Sequence, residues 1–214
     1  MTRLLLAVQL AAAAALLLAC GGASRTATTT SPSTAPTTAT STPTSTTATA
    51  PATSTPSTPQ AGIDTMAGAS TRPVHVHSTN KQTALLTAIR ASRHEGFDRV
   101  VFEFRNGLPG YDVGYVSRPV HQDPSGKTMS IAGNHVVQIR MQNTFDADLT
   151  QPSAPATYTG PRRIRPGTPE VVELARIGGF EGVLTWGAGL QDRVDFRVIA
   201  LTAPARLVVD FRNH

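Results

Sequence analysis

His94-Glu95-Gly96-Phe97-Asp98-Arg99-Val100-Val101-Phe102-Glu103-Phe104 is the stretch that decides the fold. Val100, Phe102 and Phe104 alternate with Val101 and Glu103. A period of two sends successive side chains to opposite faces of a strand, so one face is apolar and the other mixed. Glu95-Gly96 supplies turn chemistry immediately upstream, which makes this run the second arm of a hairpin. The first arm then lies in residues 83–93. As a strand it sends Leu85, Thr87, Ile89 and Ala91 inward; as a helix it sets Leu85, Leu86 and Ile89 on one side. The turn that follows favours the strand.

The same period continues outward to the end of the chain. Tyr111, Val113 and Tyr115 alternate with Asp112 and Gly114, and Val137, Ile139 and Met141 with Gln138 and Arg140. Phe180, Leu184 and Trp186 are expected on one face across Gly182. Val194, Phe196 and Val198 form a further alternating set, as do Leu207, Val209 and Phe211. Asp210 and Arg212 are expected on the opposite side, where Asp210 can meet Arg206 or another strand's arginine. Turns are expected at Asn106-Gly107-Leu108-Pro109-Gly110, Asp123-Pro124-Ser125-Gly126, Pro166-Gly167 and Gly187-Ala188-Gly189. Many short strands separated by turns imply an all-β domain, a single β-sandwich over residues 71–214.

The 70 residues before it do other work. Arg3 precedes an apolar run, residues 4–19, broken only by Gln9 and too short for an ordinary membrane-spanning helix. A basic start, a Leu/Ala stretch and small residues at its end describe a secretory signal peptide, residues 1–19. Leu17-Leu18-Ala19-Cys20 followed by Gly21-Gly22 looks like a bacterial lipobox, in which Cys20 receives a diacylglycerol thioether and becomes the new N-terminus. Acyl chains such as palmitate then anchor the protein, each buried methylene contributing about 0.8 kcal/mol. The expected location is the extracytoplasmic face of the cell membrane. Residues 20–70 form the expected linker, and residues 26–59 are Thr, Ser, Ala and Pro alone, with nothing large to bury and no charge. Fully extended it reaches roughly 150 Å; as a flexible coil it averages about 40 Å.

Composition narrows the function classes. The chain of 214 residues carries 19 Lys+Arg against 14 Asp+Glu, a net +5, and 17 of the 19 cations are arginine. That balance over this length gives no reason to expect nucleic acid as a partner. Cys20 is the only cysteine, which excludes internal disulfides and cysteine zinc sites in the domain. No HExxH, GxSxG, glycine-rich phosphate loop or CxxC occurs, so no cofactor and no catalytic residue are assigned. Glu103, Asp112, Glu173, Glu181 and Asp210 combine freely as acid pairs and single out none.

Three features are candidates for binding. Arg162-Arg163-Ile164-Arg165, bounded by Gly160-Pro161 and Pro166-Gly167, concentrates three guanidinium groups in an expected loop. Arg162, Arg163 and Arg165 are suited to phosphate or carboxylate, although a merely solvated loop has the same composition. Tyr115 and Trp186 have flat faces that stack on sugars, although their phase places them with apolar partners. His75 and His77 share a face if they lie on a strand, with Val74 and Val76 packed inward. Without a third ligand nearby they do not make a metal site.

The hairpin at residues 94–104, Pro109-Gly110-Tyr111 with Val113 and Tyr115, Phe180-Glu181-Gly182 with Thr185-Trp186-Gly187, and the closing Pro204-Ala205-Arg206-Leu207-Val208-Val209-Asp210-Phe211 together resemble the AMIN-like lipoprotein domains. The resemblance spans nearly all of residues 83–214. It implies a β-sandwich related to the AMIN domains of cell-wall amidases and secretins, accessory modules without an active site of their own, with peptidoglycan the expected ligand. A non-catalytic, lipid-anchored envelope module that binds wall polysaccharide is the leading expectation. An adaptor that recruits an envelope protein through a sheet edge is the second, and a wall hydrolase with an unrecognised site the third.

Overall fold

A computed structural model describes residues 65–214. The expected signal peptide, Cys20 and all but the last residues of the expected linker lie outside the described residues. The chain runs through β1 (Val74–Val76), β2 (Ala84–His94), β3 (Phe97–Arg105), β4 (Gly110–Val116), β5 (Val120–His121), β6 (Thr128–Met129) and β7 (His135–Gln142). It continues through β8 (Thr144–Phe145), β9 (Arg163–Ile164), β10 (Val171–Phe180), β11 (Val183–Leu190), β12 (Phe196–Thr202) and β13 (Ala205–Arg212). The domain is all-β, as the alternation implies. One sheet has the order β1-β4-β7-β11-β10-β9, the other β12-β13-β3-β2-β8, and β5-β6 form a separate two-stranded ribbon.

The two large sheets pack face to face. Val100, Phe102 and Phe104 of β3 and Leu207, Val209 and Phe211 of β13 share one apolar core with Val137, Ile139 and Met141 of β7 and Leu184 and Trp186 of β11. The Phe102 and Trp186 rings meet edge to face, 6.3 Å apart, across that core. Burying a side chain of this size contributes about 1.5–3 kcal/mol, which is why the inward set is fixed in phase. Gly96, at φ 80°, turns the β2–β3 hairpin, and His94 pairs with Phe97 across it.

Several local expectations give way. Residues 83–93 do form a strand, but a register shift between Leu86 and Ala88 splits its inward face. Ala84 and Leu86 reach the core before the shift; Ile89 and Ala91 pack against it afterwards. Thr87 sits at the shift and donates its hydroxyl to the Glu103 carbonyl at 3.0 Å. An extra residue in one strand reverses the alternation beyond it. Phe180 is 47% exposed, not inward. Glu181 and Gly182, at φ 47° and 75°, form a two-residue turn, so Phe180 opposes Val183 and does not continue the strand of Leu184. Gly187-Ala188-Gly189 is not a turn either; it lies inside β11. Val76 is 41% exposed, so only Val74 of that pair packs against the core.

Asp210 is the clearest departure. It faces away from the core as expected, yet it is completely buried. Arg99 donates to both of its carboxylate oxygens, at 2.8 and 3.0 Å, and Arg197 donates at 2.9 Å. The three residues lie side by side on β3, β13 and β12.

Candidate functional site

The exposed side of the six-stranded sheet carries a second, smaller apolar cluster. Val120 of β5, Met129 of β6 and Ile131 pack on Val136, Ala175 and Ile177 of the sheet. This lays the β5–β6 ribbon over β10, and small residues let it approach. A Cβ on Gly178 would run into the Asp123 carbonyl, and Gly178 and Asp123 bridge there. A Cβ on Gly189 would collide with the Ala132 carbonyl.

Where the ribbon overhangs the β9–β10 edge, it leaves a polar cleft of about 400 Å³. Gln122, Asp123 and Ser125 line it together with Arg162, Arg163 and Arg176, Met129 and Ile177. Arg163 and Ile164 therefore sit in a short edge strand, not in a loop. Backbone pairing of Arg163 with Ala175 and of Ile164 with Leu174 sets them against β10.

Glu173 organises this wall. Its buried carboxylate accepts from Arg163 at 2.9 Å and from the Ala132 amide at 2.8 Å, and Arg165 stands 4.0 Å away. Burial pushes the Glu173 carboxyl up, but the Ala132 N–H and the Arg163 guanidinium outweigh it and hold it below the ordinary glutamate value. Arg163 also donates to the Ser130 carbonyl at 2.8 Å. Arg176 contacts Asp146 at 2.8 Å. Arg162 is exposed and has no ion-pair partner among the described residues. Of the three arginines read from the sequence, two neutralise Glu173 and one offers an uncommitted charge to the cleft. Arg176, Gln122, Asp123 and Ser125 were not singled out by sequence reasoning. An arginine between Ala175 and Ile177 looks like one more outward residue of a strand, and nothing local says that Asp146 will pair with it.

The two aromatic candidates lie elsewhere. Trp186 is wholly buried, with Tyr158 edge-on at 5.9 Å, so its face is not open to a sugar. Tyr115 is part-buried; its hydroxyl donates to the Val194 carbonyl at 2.7 Å and accepts the Val194 N–H at 2.9 Å. Arg193 covers its ring at 4.3 Å. Both residues act as packing groups here.

Two further hollows lie elsewhere on the described surface. One, of about 300 Å³, includes His75, Asp112, Gln138 and Arg140 on the open end of the six-stranded sheet. His75 and Asp112 are 2.6 Å apart, and Gln142 donates to Asp112 at 2.8 Å. The His75 hydrogen bond holds the Asp112 carboxyl below its ordinary value. His77 lies beyond the end of β1. Among the described residues no group of three or more His, Cys, Asp or Glu is placed to hold a metal ion. The other hollow, about 360 Å³, lies between Leu85, Phe145 and Leu149. No helix among the described residues is long and apolar enough to cross a membrane.

Chemically the arginine-walled cleft is a binding surface. Guanidinium, amide and hydroxyl donors line it together with the Asp123 acceptor, a combination suited to hydroxyl, acetamido, carboxylate or phosphate groups. Asp123 is the one carboxylate in its lining, whereas hydrolysis of a glycosidic bond by paired acids needs two.

A search of curated proteins and a search of solved structures find no match to this chain. A family model does match. The AMIN-like domain model covers residues 84–213, more than half of the sequence and every long strand of the sandwich. AMIN-like domains are typically non-catalytic and are associated with the cell wall in extracytoplasmic envelope proteins. The chain belongs to the AMIN-like domain family.

Proposed function

We propose that this protein is a non-catalytic, lipid-anchored module that binds a wall polysaccharide bearing carboxylate or phosphate groups in the cleft between the β5–β6 ribbon and the β9–β10 edge. The observation that carries the reading is the polar lining of that cleft, in which Arg162, without an ion pair among the described residues, stands with Gln122, Asp123 and Ser125. The neutralised pair around Glu173 fixes the wall; Arg162 is the group left to a ligand. Extended polymers suit an open cleft of this size, because each sugar unit makes few contacts and affinity comes from repetition. Lipidation at Cys20 and the linker would keep the domain at the membrane while the cleft reaches the wall.

Retention of the purified protein on insoluble cell wall, with anionic polymers intact or stripped, tests the binding. Arg162→Ala should weaken retention on intact walls about tenfold or more, since a charge-assisted hydrogen bond contributes roughly 1.5–3 kcal/mol. The loss should shrink in high salt, where exposed charges are screened. Equal retention of Arg162→Ala and the wild type on both walls would remove the cleft from the reading. The anchor is tested separately. Cys20→Ser should abolish the lipid mass and release the protein from the membrane fraction, because the thioether needs sulfur.

A further inference from the structure

Three of the four edges of the two large sheets end in very short strands: β1 has three residues, β8 two and β9 two. The fourth, β12, has seven, and between Arg197 and Thr202 it carries no Pro, Gly, Lys or register shift. Open edges of this length are usually blunted by charge, proline or a bulge. Among the described residues, only the start of β12 is covered. Ser70 and Phe196 exchange backbone hydrogen bonds of 3.0 and 3.1 Å, and the chain then turns away through the Met66–Ala69 hydrogen bond. Because Phe196 spends its backbone groups outward, the antiparallel ladder turns those of Val198, Ala200 and Thr202 outward too. These six N–H and C=O groups have no backbone partner among the described residues.

We propose that this edge pairs antiparallel with the same edge of a second copy of the chain, about a two-fold axis through Ala200. In that register Ala200 faces its own equivalent, Val198 faces Thr202 of the second copy, and all six outward groups are satisfied. Ile199, half-buried beside Val208 on the outer face, falls opposite Leu201 of the second copy, so each covers the other. Arg197 falls opposite Ala203 of the second copy, and Asp210 already holds its guanidinium at 2.9 Å. No like charges meet at the join, and cross-strand pairs of this kind stabilise a ladder. The neighbouring registers fail. Centring on Val198 or Ile199 requires the backbone groups of Phe196, which Ser70 occupies, and centring on Leu201 or Thr202 places Pro204, which has no N–H, opposite Val198 or Ala200. The edge is thus self-complementary in one register, as an isologous interface must be. The product is a continuous sheet of ten strands.

Cysteine pairing in the full chain tests this register, because Cys20→Ser leaves a background without thiols. In the proposed dimer the two Ala200 Cα atoms stand about 5.5 Å apart, within disulfide reach, whereas the two Thr202 Cα atoms are about 13 Å apart. Ala200→Cys should therefore oxidise to a covalent dimer at least about tenfold faster than Thr202→Cys, in the same detergent and at the same concentration. Ala200→Lys places two ammonium groups at the axis on an exposed site, and should halve the sedimenting protein mass without lowering the melting temperature. Equal crosslinking at the two positions, no crosslinking at Ala200→Cys, or a wild-type chain that sediments as a monomer would overturn the proposal. In the last case the edge belongs to another extended chain or to solvent.

Discussion

The outer faces of the two sheets are closed in different ways. On the five-stranded sheet the cover is made by the sheet's own long side chains. Arg197, Asp210 and Arg99 form one cross-strand row, and Ile199, Val208 and Val101 the next, extended by Arg90. Val208 is only 3% exposed although it points away from the core, because long stems lie around it. On the six-stranded sheet a separate piece of chain, the β5–β6 ribbon with Ile131 and Ala132, supplies the cover and its own small core. A face closed by ion-paired ladders uses up its charges internally. One closed by a ribbon leaves a gap where the ribbon ends, and the gap here is the arginine-walled cleft. Binding capacity follows from how the face is covered more than from how many arginines it has.

The sharpest way to break the comparison is at Asp210. Arg99 and Arg197 have side chains 13% and 12% exposed, and both donate to this carboxylate. Asp210→Ala leaves two part-buried guanidinium groups facing each other, and should cost about 3–5 kcal/mol in denaturant unfolding. Glu103→Ala on the same face removes an ion pair whose Arg90 side chain is 61% exposed, and should cost under about 1 kcal/mol. Similar losses at the two positions would mean that the ladder is ordinary surface pairing and does not close the face.

The ribbon-covered face breaks at Gly189. Strand glycines replaced by alanine usually gain a little stability where there is room, by restricting the unfolded chain. Here a Cβ meets the Ala132 carbonyl and the Ile131 side chain, so Gly189→Ala should destabilise by about 1–3 kcal/mol. Because Ala132 N–H is bonded to Glu173, the same change should speed its hydrogen exchange. A stabilised variant would show that the segment does not bear on β11.

These two positions also show what could be read from the sequence. The inward phase of Val100, Phe102 and Phe104, of Val137, Ile139 and Met141, and of Leu207, Val209 and Phe211 was legible because alternation is a local property. The shift at Leu86–Ala88 was not, since a bulge adds a residue without changing composition. Gly187 and Gly189 read as turn residues because glycine is common in turns, yet they serve a close approach by Ile131 and Ala132, more than 50 residues earlier. Asp210 was placed on the correct side and given a modest cross-strand pair; its second arginine and its full burial depend on Arg99, 111 residues away. The cleft suffered most. Arg162 was visible as part of a charged run, but Arg176 reaches it through the β9–β10 pairing and Asp123 through the ribbon.

The smallest effect concerns a buried carboxylate that lacks what Asp210 has. Glu170 is almost wholly buried, accepts the Asp192 amide at 2.9 Å, and has no Arg or Lys partner among the described residues. Burial, with the Asp192 and Asp98 carboxylates adding to it, raises its pKa above the ordinary glutamate value against the pull of that amide and of His214. The sign follows from linkage. A carboxyl whose folded pKa lies above its unfolded one favours folding in the protonated form, so its contribution is present at acid pH and is lost as pH rises through the folded pKa. Glu170→Gln keeps an oxygen for Asp192 and removes the charge. It should be more stable than the wild type at pH 8, by under about 1.5 kcal/mol, with the advantage fading as both proteins are acidified toward pH 4. Asp112 and Glu173, whose pKa values are lowered, drive the opposite trend in both proteins. Taking the difference between the two proteins at each pH cancels that trend. Thermal melts across this range would show it, and a variant less stable at pH 8, or an advantage that does not change with pH, would mean that Glu170 is as well compensated as Asp210.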